Sequence, residues 1–113
     1  MIIYISGPIT GRRPAECEMK FNKAEREIRK RGHTPINPWK IGKLLPVTFE
    51  HEDYLEVDLT ILKKCDGLLL LEGWQDSIGC RIEEEFVRNN DNKSVMNSFV
   101  YAIFYDYKEI PKI

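Results

Sequence analysis

The apolar run GLLLL at residues 67–71 constrains the fold of this chain more than any other stretch. It contains no polar position, so it lacks the alternation expected of a strand that is buried on one face only. Short, continuous apolar runs are typical of the central strands of parallel sheets, which are covered on both faces. The run therefore predicts a central strand with helices packed against both of its sides.

The rest of the chain alternates between strand-like and helix-like segments. Apolar, β-rich runs bounded by turn residues predict strands at residues 2–6, 33–38, 67–71 and 98–105. Apolar residues at helical spacing predict helices at residues 14–31, 52–64 and 80–90. The segment 38–50 has two prolines and a glycine and is predicted to be irregular, either a lid over a site or a poorly ordered connection.

This order of elements defines the predicted fold class. A chain of 113 residues is long enough for one domain and hardly for two. We therefore predict one α/β domain over residues 1–113, a three-layer sandwich with a Rossmann/flavodoxin-like parallel sheet and helices on both faces. Ligands of such sheets bind beyond the carboxyl ends of the strands. Two loops occupy that edge, GPITG at residues 7–11 and EGWQDSIG at residues 72–79.

The overall composition indicates which classes of partner and cofactor are to be expected. With 17 basic and 18 acidic residues the formal net charge is −1, which argues against a nucleic-acid polymer and leaves a small anionic ligand open. No apolar run reaches the roughly 18 residues that span a bilayer, and MIIYISG lacks the features of a secretory signal, so we expect no membrane partner and a cytoplasmic location. Three widely spaced cysteines and two histidines predict free thiols, and we expect neither a metal site nor a cofactor.

Asp58 interrupts the apolar face of the second predicted helix. Leu55, Leu59 and Leu62 follow the i, i+4, i+7 stripe, and Asp58 lies three residues after Leu55 on the same side. A carboxylate on an inward face is costly unless it is paired or hydrogen-bonded. Asp58 therefore either caps a neighbouring loop or pairs with a basic residue, or it points into the ligand cleft.

Three consecutive glutamates follow the second loop, and they point in directions about 100° apart. Glu83 lies on the flank predicted to pack against the sheet, whereas Glu84 and Glu85 are expected to include the solvated residues. In a helix that starts at residue 80, Glu83 stands in the first turn, where the positive helix end favours an ionised carboxylate. Such a carboxylate, when partly sheltered, can act as a nucleophile. A solvated helix face is the alternative.

Tyr4, the first loop and Trp74 complete the candidate site. Tyr4 lies in a strand that leads to the same edge, where it is either an ordinary core residue or the partner of a carboxylate. The backbone N–H groups of GPITG at a helix N-terminus suit a phosphate or a sugar hydroxyl. Trp74 either stacks on a base or covers the edge of the core. The candidate site therefore contains carboxylates together with a tyrosine and an anion-friendly loop. This combination fits a two-carboxylate reaction at the anomeric carbon of a sugar.

Three motifs, YISGPITG, DLTILKKCDGLLLLEGW and DSIGCRIEEE, together resemble the nucleoside 2-deoxyribosyltransferase superfamily across about residues 2–88. The similarity is strongest to a small branch of phage and bacterial proteins of the domain-of-unknown-function type, which is similar to the 2′-deoxynucleoside 5′-phosphate N-hydrolases. The resemblance implies cleavage or transfer at the N-glycosidic bond of a 2′-deoxynucleoside or its 5′-monophosphate. It also implies a homo-oligomer whose neighbouring subunits complete the sites.

By this resemblance, Glu83 matches the nucleophile that attacks C1′, Tyr4 the residue that holds it, and Asp58 the acid that protonates or orients the leaving base. We assign substrate binding to residues of the two loops: Gly7, Ile9, Thr10, Gly11, Arg12, Trp74, Ser77 and Gly79. Thr10 stands where the phosphate-specific hydrolases carry a basic residue, and Arg12 follows closely. The alternatives are a non-catalytic nucleotide-binding or regulatory module on the same fold, and a purely structural domain.

Overall fold

The computed structural model describes residues 1–89 and 102–113. Its sheet has the strand order β2-β1-β3-β4 and consists of β1 (Ile2–Ser6), β2 (Thr34–Ile36), β3 (Gly67–Leu70) and β4 (Ala102–Phe104). The α-helices in this part of the chain are α1 (Pro14–Lys30), α2 (Pro38–Gly42), α3 (His51–Leu62) and α4 (Ile78–Arg88). Two short 3₁₀ turns occupy Trp74–Asp76 and Tyr107–Glu109. Within the described ranges, no helix combines the length and the apolarity that a membrane crossing requires.

The predicted α/β class is confirmed, because every neighbouring pair of strands is parallel and the sheet is of the Rossmann/flavodoxin-like kind. From β1 the chain moves outward to β2 and then crosses back past β1 to β3. The winding direction therefore reverses between β1 and β3, and the loops that follow these two strands diverge and leave a crevice. Ser6 lies opposite Leu70 in the ladder, so both strands end at the same level.

Alternation along β1 sends its side chains to opposite faces of the sheet. Ile3 and Ile5 belong to a core cluster with α1. The residues that α1 buries recur at helical spacing and are Cys17, Phe21, Ala24 and Ile28. Gly32, with a φ of 88°, follows the helix in the left-handed conformation that ends many helices and favours glycine.

The opposite face of the sheet is covered by α3 and α4. Tyr4 of β1 shares a core cluster there with Leu62 of α3 and Val87 of α4. All four residues of β3 are buried, which confirms the covered central strand that the GLLLL run predicts. Helices therefore pack against both faces, as the order of elements predicts.

The segment 38–50 differs from its prediction, because a one-turn helix, α2, occupies its first part. Pro38 stands at the start of α2, where a missing N–H costs nothing. The Asn37 side chain caps the turn by accepting from the backbone N–H of Lys40 at 3.4 Å. The apolar pattern does not predict this helix, because five residues are too few to show an apolar stripe.

Other boundaries differ by one to a few residues, among them the start of α4 and the end of the last strand. Helix α4 begins at Ile78 rather than at residue 80, because the Ser77 hydroxyl caps it by accepting from the Cys80 N–H at 3.2 Å. The last strand was predicted at residues 98–105, of which 98–101 lie outside the described residues. In the remainder, β4 ends at Phe104, and the Tyr105 N–H donates to the Glu109 carboxylate at 2.7 Å instead of to a strand.

A substitution at Leu69 of β3 tests whether this strand lies at the centre of the core. It is 1% exposed and packs in the core with α1. We expect Leu69→Ala to lower the free energy of unfolding by about 2–5 kcal/mol, because it removes buried methyl groups and leaves a cavity. Leu44→Ala is the matched control, since Leu44 is 83% exposed and its loss should stay within about 0.5 kcal/mol. Urea denaturation measures both, and equal losses would contradict the assignment of β3 to the core.

Candidate functional site

A cavity of about 910 Å³ opens at the carboxyl edge of the sheet. Its walls come from the loop after β1, the loop before α4, helix α2 and the segment after it, and the adjoining face of α3. The winding of the sheet reverses at this place, so the two predicted loops diverge and lie on opposite sides of the cavity. The predicted site residues that line the cavity are Gly7, Ile9, Thr10, Arg12, Asp58, Ser77, Gly79 and Glu83.

Glu83 lies on the buried side of α4 with 6% of its surface exposed. The Tyr4 hydroxyl donates to Glu83 Oε2 at 2.5 Å, and the Ser6 hydroxyl donates to Glu83 Oε1 at 2.7 Å. Tyr4 and Ser6 are two residues apart in β1, so both point to the face that α4 covers. Each carboxyl oxygen has its own donor, which holds the group in one orientation. Ser6 is absent from the sequence-predicted site, although the two-residue period from Tyr4 is a signal that finds it.

The ionisation of Glu83 differs from the prediction. Burial raises its pKa to about 7, with a further contribution from Asp58, against the lowering effect of the hydrogen bonds from Tyr4 and Ser6. The expectation that the helix end keeps this group ionised is therefore wrong in direction. Because α4 begins at Ile78, Glu83 lies in its second turn, beyond the strongest influence of the helix dipole. Desolvation then outweighs the two donors.

Asp58 extends from α3 to the same cavity and is half-buried. Burial raises its pKa to about 6, and a hydrogen-bonding interaction with the Tyr4 hydroxyl acts against the rise. Of the leucines predicted to share its face, Leu62 is fully buried and Leu55 lines the cavity. Asp58 therefore stands at the border between the core and the cavity, which fits the reading that it points into a cleft.

The pKa of Tyr4 responds to both carboxyl groups. Tyr4 is 1% exposed, and burial, then Glu83 and then Asp58 raise its pKa well above the ordinary value of 10. The phenol therefore stays protonated at neutral pH, and it donates a hydrogen bond to Glu83. The structure brings Tyr4, Asp58 and Glu83 together from three different elements of the fold.

The other two glutamates of α4 differ from each other. Glu85 is exposed, as expected of a solvated position. Glu84 is 8% exposed, so of these two glutamates only Glu85 is solvated. The Glu84 carboxylate accepts two hydrogen bonds from the Arg88 guanidinium, at 3.0 and 3.1 Å, one turn further along the helix. Pairing with Arg88 satisfies the charge and permits the burial.

The loop after β1 is held close to the core. A Cβ at Gly7 would lie 2.8 Å from Leu71 Cδ1, so glycine lets the backbone pass between the core and the cavity. The Arg12 N–H donates to the Ile9 carbonyl at 3.1 Å, which closes a turn, and Gly11 takes a φ of 78° within it. Gly11 lies in this turn and does not line the cavity, whereas Arg12 does.

Of the three site residues predicted around the loop before α4, two line the cavity and one does not. Ser77 and Gly79 line the cavity at the start of the helix. Trp74 does not line it and instead packs against the core cluster on the α3 and α4 side, with its ring 6.1 Å from that of Tyr105. Of the two readings of Trp74, the structure shows the one in which it covers the edge of the core.

A lid over a site was one of the two predictions for the segment 38–50, but no residue between 38 and 54 was predicted as a site residue. Trp39, Lys43, His51 and Tyr54 all line the cavity. Trp39 stacks on Phe21 of α1 at 6.5 Å between ring centroids, and the Lys43 ammonium lies 5.0 Å from the centre of the Trp39 ring. The apolar residues in this irregular segment are a sequence signal that could have indicated a cavity wall. The structure makes part of the segment a wall of the cavity.

The fold and the site define an α/β protein with a flavodoxin-like strand order and two carboxyl groups in a cavity at its switch point. Residues 1–96 match the model of a family described as Domain of unknown function (DUF4406), and the chain belongs to this family. The match includes every residue of the cavity named above. A comparison with curated proteins finds no significant match. In the described part of the chain, no group of three or more histidine, cysteine, aspartate or glutamate side chains is arranged to hold a metal ion.

The raised pKa of Glu83 predicts a pH-dependent stability. Its pKa is about 7 in the folded protein against an ordinary value of 4.5, so folding favours the neutral form. The resulting stabilisation is complete below about pH 4.5 and is lost as the pH rises through 7. Glu83→Gln does not titrate, so we expect its stability relative to wild type to grow by about 3 kcal/mol from pH 4 to pH 8. Chemical denaturation across this pH range measures the difference.

Glu85→Gln is the control for this prediction. It makes the same chemical change at an exposed position of the same helix, and we expect the pH dependence of its stability to follow that of wild type. A Glu83→Gln effect that is equal at pH 4 and pH 8 would contradict a desolvated carboxyl group at this position.

Proposed function

We propose that this protein cleaves or transfers the N-glycosidic bond of a 2′-deoxynucleoside or its 5′-monophosphate. The observation that carries the proposal is the meeting of two carboxyl groups, from α3 and α4, at one cavity, where Tyr4 donates a hydrogen bond to one of them, Glu83. The resemblance of the three sequence motifs to the nucleoside 2-deoxyribosyltransferase superfamily supplies the substrate class. The family is described without an activity, so membership in it does not indicate a reaction.

Glu83 is the proposed nucleophile. Its two hydrogen bonds fix the carboxylate in the cavity wall, so little orientational freedom is lost when it attacks C1′. A lone pair of Glu83 forms the bond to C1′ as the bond between C1′ and the base nitrogen breaks. The product is a deoxyribosyl ester of Glu83, the covalent intermediate of a retaining displacement.

Asp58 is the proposed acid. A pKa of about 6 leaves part of this carboxyl protonated near neutral pH, because burial disfavours its charge. It gives its proton to the base as the glycosidic bond lengthens, and it takes a proton back from the water that hydrolyses the ester. If a second base attacks in place of water, the outcome is transfer instead of hydrolysis.

The placement of the two carboxyl groups supports this scheme. Both line the same cavity, and both add to the effect of burial in raising the pKa of the Tyr4 phenol. A pair of carboxyl groups, one as nucleophile and one as acid, is the machinery of a retaining glycosidase. The cavity also has an aromatic wall, with Trp39 and Tyr54, that offers apolar surface to a base.

Release of free base is the direct test of the proposal. The protein is incubated with a panel of 2′-deoxynucleosides and their 5′-monophosphates, and the base is followed by chromatography. We expect base release by wild type and a loss of about 10³-fold or more in Glu83→Gln, because the nucleophile is gone. Adding a second free base distinguishes transfer from hydrolysis.

Glu85→Gln again serves as the matched variant and should keep the wild-type rate. The proposal fails if no substrate of the panel releases base, or if Glu83→Gln is as active as wild type. Thermal stabilisation by a nucleotide without any turnover would instead support the nucleotide-binding module.

The pH profile of kcat/KM follows from the two carboxyl groups. Below about pH 6 both are protonated and the nucleophile is lost, whereas above about pH 7 both are ionised and the acid is lost. We therefore expect a bell-shaped profile with its maximum between these values. In Asp58→Asn the alkaline limb should disappear and the remaining rate, lower by about 10²–10⁴-fold, should only rise with pH. An alkaline limb that persists in this variant would contradict the role of Asp58.

A further inference from the structure

The wall of the cavity that α2 supplies is held by contacts outside the cavity. Helix α2 has five residues, which is too short to be stable on its own, so its position depends on the rest of the fold. Trp39 and Lys43 of this wall line the cavity. The Trp39 ring also stacks on Phe21 of α1, with 6.5 Å between the ring centroids. The packing of α2 on α1 therefore sets where Trp39 stands in the wall.

Polar contacts between α2 and α1 converge on the carboxylate of Glu25 in α1. The Asn37 side-chain amide donates to Glu25 Oε1 at 3.1 Å and to Asn22 Oδ1 at 3.3 Å. The Lys40 ammonium lies 3.2 Å from Glu25 Oε1 and 3.3 Å from Glu25 Oε2. Asn37 is also the residue whose oxygen caps α2, by accepting from the Lys40 N–H. Glu25 therefore holds both the cap and the first turn of α2.

Glu25 is more sheltered than the second ion pair between these helices. Its side chain is 18% exposed, whereas Lys43 and Glu18, which lie 3.4 Å apart, are 51% and 53% exposed. Burial by itself would raise the pKa of Glu25, but the hydrogen bonds from Asn37 and Lys40 lower it below the ordinary value of 4.5. An ionised, hydrogen-bonded carboxylate shielded from water binds its partners more strongly than an exposed ion pair does. Glu25 is therefore the stronger link between α1 and α2.

We propose that Glu25 is a positioning residue that fixes the α2 wall and thereby sets the affinity of the cavity for its substrate, a role that rests on the proposed function. Glu25 does not line the cavity, so it acts through Trp39, which does. The groups assigned to the reaction come from other elements, Tyr4 from β1, Asp58 from α3 and Glu83 from α4. Loss of the anchor therefore weakens substrate binding and leaves the chemical step unchanged.

Steady-state kinetics of base release test this role. In Glu25→Ala we expect KM to rise about tenfold, because substrate binds only those molecules in which the wall is in place. The value of kcat should stay within about twofold of wild type, since the reacting groups are intact. Glu25→Gln keeps an oxygen for Asn37 but loses the charge that attracts Lys40, so its KM should rise by about threefold. A thermal melt of each variant verifies folding.

Two further variants separate the anchor from a general effect on α1. Glu27 lies on the same helix, is 19% exposed and pairs with Lys30 of α1 at 3.2 Å, so Glu27→Gln should keep the wild-type KM. Lys40 is exposed and does not line the cavity, and Lys40→Met removes its ammonium from Glu25 while the 3.7 Å pair of Glu25 with Arg29 stays. Its KM should match that of Glu25→Gln, and the double variant should show no further rise, because both changes remove one contact.

A second measurement uses the free protein and does not depend on turnover. The chain has two tryptophans, Trp39 and Trp74, so fluorine-19 NMR of protein labelled with 5-fluorotryptophan gives a resonance for each. We expect Glu25→Ala to shift or broaden the Trp39 resonance. The Trp74 resonance should stay in place, because Trp74 packs against the core cluster on the other face of the sheet. Glu27→Gln should change neither resonance.

The outcomes separate the positioning role from the proposed function. A Glu25→Ala variant with a lowered melting temperature and a wild-type KM would overturn the positioning role and leave the proposed function in place. A fall in kcat at constant KM would overturn it as well. If the wild-type protein releases no base from any substrate, the proposed function fails, and the Trp39 resonance decides whether Glu25 holds the wall. An unchanged Trp39 resonance in Glu25→Ala would overturn the anchor.

Discussion

The site depends on the two hydrogen bonds that β1 gives to a buried carboxyl group. Glu83 is almost fully covered, and a buried carboxylate is costly unless donors satisfy it. Tyr4 and Ser6 supply one donor to each oxygen, because a strand places residues of the same parity on the same face. Burial still dominates, so the pKa of Glu83 stays above its ordinary value. The fold therefore favours the uncharged form of the group for which the role of nucleophile is proposed.

The topology of the sheet explains why this arrangement faces a cavity. The strand order places β1 beside β3, and the winding reverses between them. The two loops that follow these strands diverge, while α3 and α4 cover the face to which Tyr4 and Ser6 point. Asp58 and Glu83 therefore come to the same cavity from different helices, although 25 residues separate them in the chain. Tyr4 lies on the face of β1 that both helices cover, and there it donates to Glu83.

Local patterns predicted much of the fold and part of the site. The unbroken GLLLL run identified the buried strand, and the unexpected carboxylates on inward helix faces identified Asp58 and Glu83. The α2 helix was missed, because five residues between proline and glycine carry no helical period. Trp39 and Tyr54, which line the cavity, were not predicted as site residues, because nothing in the local pattern shows that these aromatic side chains face a cavity instead of the core. Trp74, visible as a candidate from its loop position, turned out to pack on the core.

The sequence by itself determined the alternation of strands and helices, the class of fold and the identity of the two carboxyl groups, because these depend on patterns within a few residues. Only the tertiary structure decided that Glu83 is held by Ser6 as well as Tyr4, that Glu84 is buried beside Arg88, and that burial favours the neutral form of Glu83. Desolvation and hydrogen-bond partners are properties of the packed neighbours. Those neighbours come from strands and helices far apart in the chain.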